Sequence, residues 1–146
     1  MKSSLEEMKK YRQPQVIRRF ARDYPEMSHS AETIFEDLML FFWASKNHEE
    51  ERKMSPQRVD LDFTYIMDEE MKGIDCMWHI FLLYTKDYAE FCEKYFGQFL
   101  HHLPDIVDPD ETDNKKFNLN LEKFLNYSYD LLGEEVIRRW YAPSLI

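Results

Sequence analysis

Apolar positions in this chain recur mainly at steps of three and four, a period that predicts helices along most of its length. Ser3 or Ser4 is placed to cap a first helix, which Pro14 interrupts. Proline is accepted in the first turn of a helix, so 14–22 restarts one with Val16, Ile17 and Phe20 as a narrow apolar stripe. The Tyr24-Pro25 pair forces a break, and Ser28 or Ser30 caps the next helix. There Ala31, Ile34, Phe35, Leu38, Phe41 and Phe42 follow at helical spacing. The run from Leu38 to Trp43 is apolar all round, as expected of a helix through the centre of a core.

Residues 47–58 are polar and read as a surface connection. Val59, Leu61, Phe63 and Tyr65 then alternate with Asp60, Asp62 and Thr64, the period of a strand, but no partner strand is evident. A short extended segment near 59–65 or the start of a helix satisfies that pattern equally. The helical period resumes over 68–84, with Gly73 as a kink or break. Thr85 is placed to cap a helix whose face is Tyr88, Phe91, Cys92 and Tyr95, and Gly97 to stop it. An acidic surface loop is expected over 105–116. Its Asp108, Asp110 and Asp113 match a calcium loop only superficially, because the central glycine and terminal glutamate are missing. Asn118 or Asn120 then caps a helix carrying Leu121, Phe124, Leu125, Ser128 and Leu132, Gly133 stops it, and a short helix over 134–141 follows.

The expected architecture is therefore all-α: one compact helical domain over 1–146 of about five to six helices. Composition agrees. With 44% hydrophobic and 16% aromatic residues, 146 residues can build a real core, and three glycines are too few for the tight turns of a sandwich or barrel.

A net charge of −9 argues against nucleic acid as a partner. The charge is uneven, however. Residues 1–22 hold seven Lys and Arg against two Glu, which leaves +5 there and −14 on the rest. This basic N-terminal arm is either a recognition element for an acidic partner or anionic membrane, or a helix packed on its own acidic domain. The longest apolar run, Leu38 to Ala44, is too short to span a bilayer, and residues 1–10 lack the apolar core of a signal peptide. Two cysteines, Cys76 and Cys92, make no disulfide framework. A cytoplasmic protein is expected.

The densest candidate chemistry lies between Asp75 and Pro104. On a helix, Asp75, Trp78, His79 and Leu82 share a face, so Asp75 can accept a hydrogen bond from His79. Tyr88 and Cys92 come from the next helix, His101 and His102 from the segment after it. Short connections pack such helices antiparallel, so these groups can converge. Three readings follow. His79, Cys92 and one of His101 or His102 could bind zinc, with Cys76 as a fourth ligand, although the spacing is not that of a standard zinc motif. Cys92 could be a nucleophile activated by a histidine, but no oxyanion-hole signature accompanies it. Or the block is structural and holds no cofactor: its aromatic rings pack while Asp75 and His79 satisfy each other.

The stretch Asp75-Cys-Met-Trp78-His79-Ile-Phe-Leu-Leu-Tyr-Thr85, followed by Tyr88, Phe91-Cys92, Phe96-Gly97 and His101-His102-Leu-Pro104, resembles an uncharacterised bacterial family often labelled glycine-rich domain-containing. A related tryptophan–histidine block occurs in plant glycine-rich domain proteins. The strong match covers 75–104, with weaker ones at 31–43 and 133–143. This chain lacks the glycine-rich tail and the RNA-binding domain of some plant relatives, so nothing about RNA carries over. The resemblance implies no reaction. The function expected from the sequence is a non-catalytic module that binds another protein or regulates it, with a metal-binding protein or metal-dependent enzyme built on His79, Cys92 and His102 as the alternative.

Overall fold

The structure, a computed structural model, describes residues 4–102 and 114–141, with side chains in the second stretch from residue 118. Seven α-helices lie among them: α1 Leu5–Lys10, α2 Pro14–Asp23, α3 Ala31–Met54, α4 Lys72–Leu83, α5 Thr85–Phe96, α6 Asn114–Leu132 and α7 Glu134–Tyr141. Short 3-10 turns at Pro25–Ser30, Val59–Leu61 and Glu69–Met71 join some of them, and no strand occurs among the described residues. The all-α expectation holds. The count, seven, is slightly above the five to six expected, and each helix falls in a segment whose apolar spacing is helical.

Helix α3 is the axis of the molecule. Phe35, Leu38, Met39, Leu40, Phe41, Phe42 and Ala44 are all buried, which requires neighbours on every side. Helices α1, α2, α4 and α6 supply them. The surface connection expected from residue 47 begins only after Met54, because α3 runs on through 47–54. Side-chain pairs one turn apart, Lys53 with Glu49 and Asn47 with Glu51, support that extension. His48, in the same turns, is buried against the Phe63 ring and reaches the Leu61 carbonyl at 2.9 Å.

The alternating stretch near 59–65 forms one 3-10 turn and then runs without regular structure to residue 68. Leu61 and Phe63 do point into the core while Val59 is exposed. In place of a partner strand, the Asn120 side chain of α6 accepts from Thr64 N–H at 2.8 Å and donates to Thr64 C=O at 3.0 Å. A side-chain amide therefore does what a neighbouring backbone would do. Asn120 and Asn118 accordingly lie inside α6, which begins at Asn114, and neither caps it. The loop expected over 105–116 falls mostly outside the described residues, and its last three positions belong to α6.

Helix ends follow local chemistry. Ser4 caps α1 by accepting from Glu7 N–H. Thr85 is the first residue of α5 and not its cap, whereas Gly97 and Gly133 take positive φ (68° and 96°) and end α5 and α6. Gly73 sits in the first turn of α4 without breaking it.

The basic arm is packed. Met8, Val16, Ile17 and Phe20 are buried, Tyr11 meets the Phe91 and Tyr95 rings, and Arg12 reaches Glu32 at 2.9 Å and Glu36 at 3.0 Å on α3. At the other end α7 is anchored to α3 by Arg139, which holds the buried Asp37 at 2.6 and 3.2 Å. Burial nonetheless pushes the Asp37 carboxyl above its ordinary range, with Arg139 opposing. No helix among the described residues is long and apolar enough to cross a membrane.

Candidate functional site

The first two turns of α4 carry Asp75, Trp78 and His79, with Trp78 turned into the core and His79 exposed. Asp75 and His79 are one turn apart as their spacing predicts, but they are not each other's hydrogen-bond partners. Their nearest atoms, Asp75 Oδ1 and His79 Nε2, are 3.8 Å apart. Asp75 Oδ1 instead meets His102 Nε2 at 2.6 Å. The His102 ring lies flat on Trp78, with centroids 4.1 Å apart and planes 7° apart, and it also stacks on His79 at 4.7 Å. The expected Asp75–His79 pair is thus replaced by a three-residue cluster in which His102 is central.

What brings residue 102 back to α4 is a chain of buried polar contacts. Trp78 Nε1 donates to the Tyr88 hydroxyl at 2.9 Å, and that hydroxyl donates to the Leu100 carbonyl at 2.5 Å. Leu100 N–H in turn points to Cys92 Sγ at 3.5 Å. Tyr88 and Cys92, one turn apart on the buried face of α5, therefore grip residue 100 from both its backbone groups. Burial raises the pKa of the Tyr88 phenol and the Cys92 thiol, so both keep their protons at neutral pH. A protonated, fully buried thiol engaged by a backbone amide is a poor nucleophile. Of the expected set His79, Cys92 and His102, the two histidines lie together with Asp75, while Cys92 stands outside that group. Cys76, buried beside Tyr24, is not in the cluster either.

Asp75, His79 and His102 each offer one ligating atom, and these atoms all lie within 4.8 Å of one another. They form one wall of a cleft of about 680 Å³ between α4, the 64–69 segment and residues 101–102. His101 lines the same cleft but stands against Phe99, outside the cluster. Reading the sequence missed the opposite wall, which includes Phe41 and Ser45 of α3, Thr64 to Glu69, and Lys72. One signal was available: Lys72 is three residues before Asp75, on the same helical stripe. Asp75 lies in the first turn of α4, where the helix dipole favours a carboxylate.

Fold and site together define an all-α protein that presents a two-histidine, one-carboxylate cluster on the wall of a cleft. Residues 4–123 match the model of the UCP032817-like family, and the chain belongs to that family. The match includes the whole of α1 to α5 and the segment that carries His102, and therefore the complete cluster. No curated protein and no solved structure matches the chain.

Proposed function

We propose that the cleft binds a divalent transition metal, zinc in the first instance, through Asp75, His79 and His102. The observation that carries this reading is the convergence of three ligating atoms from two separate chain segments within 4.8 Å at a cleft wall. Imidazole and carboxylate donors suit zinc and its first-row neighbours. Ligands of a tetrahedral ion with bonds near 2.1 Å lie about 3.4 Å apart, so the cluster would open by somewhat under an ångström where Asp75 and His102 meet at 2.6 Å and draw in where its atoms are up to 4.8 Å apart. His79 has the freedom to do so, since its side chain is 57% exposed. The Trp78 face fixes the plane of the His102 ring, as an outer shell does in metal sites.

Three protein ligands leave a position open toward the cleft. Such an ion polarises a bound carbonyl or lowers the pKa of a bound water, which is the chemistry of a metal-dependent enzyme rather than of a closed structural site. Two free, buried thiols suit the reducing interior of a cell, and a cytoplasmic setting is part of this reading. The likeness to proteins labelled glycine-rich adds no reaction to it.

The test is elemental analysis and calorimetric zinc titration of protein prepared without a histidine tag. About one zinc per chain is expected, with affinity lost in His102→Gln and Asp75→Asn and weakened in His79→Gln, while Cys92→Ala keeps the one-to-one stoichiometry and weakens affinity only as the loss of an outer partner does. Absence of stoichiometric binding at micromolar zinc would refute the proposal. It would leave the cluster as packing, and the protein-binding module expected from the sequence as the reading to pursue.

A further inference from the structure

Helix α2 has a second face that neither the core nor the cleft uses. Val16, Ile17 and Phe20 are buried, and the opposite stripe is Gln15, Arg18, Arg19 and Arg22, at steps of three, one and three. With Tyr84 these four side chains line a surface hollow of about 320 Å³. Each offers N–H or O–H donors, and none carries a negative charge. Other hollows differ: the cleft includes Asp68, Glu69 and Asp75, and those beside Arg139 and Arg58 include Asp37 and Glu51. Asp23 pairs with Arg19 at 3.4 Å and Arg22 at 3.0 Å from outside the lining, while Arg18 has no acidic partner among the described residues. Three guanidiniums and one carboxylate leave about two positive charges there, on a chain whose net charge is −9.

From this lining we infer that the α2 hollow is a recognition site for a single phosphate monoester, carried on a serine or threonine of a partner protein. A phosphate monoester brings about −1.5 to −2 charges and three acceptor oxygens, which matches the excess charge and the donors. Arginine's planar fork suits phosphate oxygens two at a time. The charge outside residues 1–22 is −14, so an extended polyanion such as a membrane surface or nucleic acid is repelled beyond the hollow. A phosphorylated side chain in a basic segment avoids that repulsion, and its flanks complement the acidic body. This site is independent of the metal proposal.

The experiment is fluorescence anisotropy with a labelled basic dodecapeptide containing one central phosphoserine, at near-physiological salt. The expected result is binding about tenfold tighter than the unphosphorylated peptide, with the preference competed by inorganic phosphate. Arg18→Gln and Arg22→Gln should each weaken the phosphopeptide about fivefold. Both side chains are exposed, so the melting temperature of each variant should match that of the unaltered protein. Equal binding of the two peptides would overturn the proposal, as would a preference that survives both substitutions. So would capture on phosphatidylserine vesicles without any preference for the phosphopeptide.

Discussion

Tyr88→Phe is the most informative single change in this molecule, because one hydroxyl links the fold to the cluster. Removing it takes away the acceptor of Trp78 Nε1 and the donor to the Leu100 carbonyl while leaving the ring and its packing in place. Trp78 is 7% exposed, so its indole N–H is stranded at a cost of about 1–3 kcal/mol. Leu100 is only half-buried, and its carbonyl can recruit water, which limits that loss to about 1 kcal/mol. The sum is about 2–4 kcal/mol, or a fall in melting temperature of about 5–12 °C for a chain of this length. The same change loosens residues 98–102 from α5, so His102 is presented less firmly to Asp75. If the cluster binds zinc as proposed, the affinity should fall about tenfold, the lower end of the usual effect of losing a partner that holds a ligand in place. Urea unfolding followed by tryptophan fluorescence measures the first quantity, and calorimetric titration the second. Tyr129→Phe, at a half-exposed tyrosine, is the control and should stay within about 0.5 kcal/mol. If Tyr88→Phe is equally silent in both assays, the claim that this hydroxyl organises the site is refuted.

Three further outcomes follow from burial and charge. Burial holds the His48 pKa below its ordinary value, against the opposing bond to the Leu61 carbonyl. The unfolded chain then binds the proton more readily, so the stability His48 contributes is present above about pH 6.5 and is lost as pH falls through the lower folded pKa. Urea midpoints measured from pH 7.5 down to 5 should therefore decline less steeply in His48→Gln than in the unaltered protein. Arg139→Ala should cost about 3–5 kcal/mol by leaving Asp37, whose side chain is 6% exposed, buried without its cation, and the double change to Asp37→Asn with Arg139→Met should recover much of that in chemical denaturation. Deleting residues 1–22 should abolish soluble expression, because Met8, Val16, Ile17 and Phe20 are core residues; a soluble truncation with an unaltered melting temperature would contradict their burial.

The parts of the fold that could be read in advance are those whose information is local. Pro14 starts α2, Gly97 ends α5, and the all-round apolar run in α3 marks a central helix, each because backbone geometry or helical period acts within a turn or two. The length of α3 was hidden because residues 47–54 are charged, as a connecting loop would be. The difference lies in side-chain pairs one turn apart and in His48, whose buried partners come from residues 61 and 63. The extended pattern at 61–65 is present in the side chains but not in a ladder, because its partner is one asparagine amide presented by a helix more than fifty residues later.

The site divides along the same line. Helical spacing places Asp75, Trp78 and His79 correctly with respect to one another, and the convergence of His102 depends on the connection after α5 folding back. Spacing alone cannot rank His79 against His102 as the partner of Asp75. Across one helical turn, two side chains leave the same surface nearly parallel, and here the Asp75 and His79 atoms stay 3.8 Å apart. A histidine from a separate segment approaches the carboxylate head-on and reaches 2.6 Å. Cys92 was a plausible ligand by residue type, but its place on the inward face of α5 commits its sulfur to the backbone of residue 100. It acts through the backbone: with Tyr88 it sets where the chain crosses α4, and so which histidine arrives there. That makes the spacing from Cys92 to His102 a constraint on the cluster. One residue inserted between Gly97 and Leu100 would leave α5 intact, yet bring His101 to the position facing Asp75 and carry His102 past it. If the cluster binds zinc as proposed, such an insertion should lower zinc affinity far more than it lowers the unfolding midpoint, and removing His101 as well should abolish what binding remains.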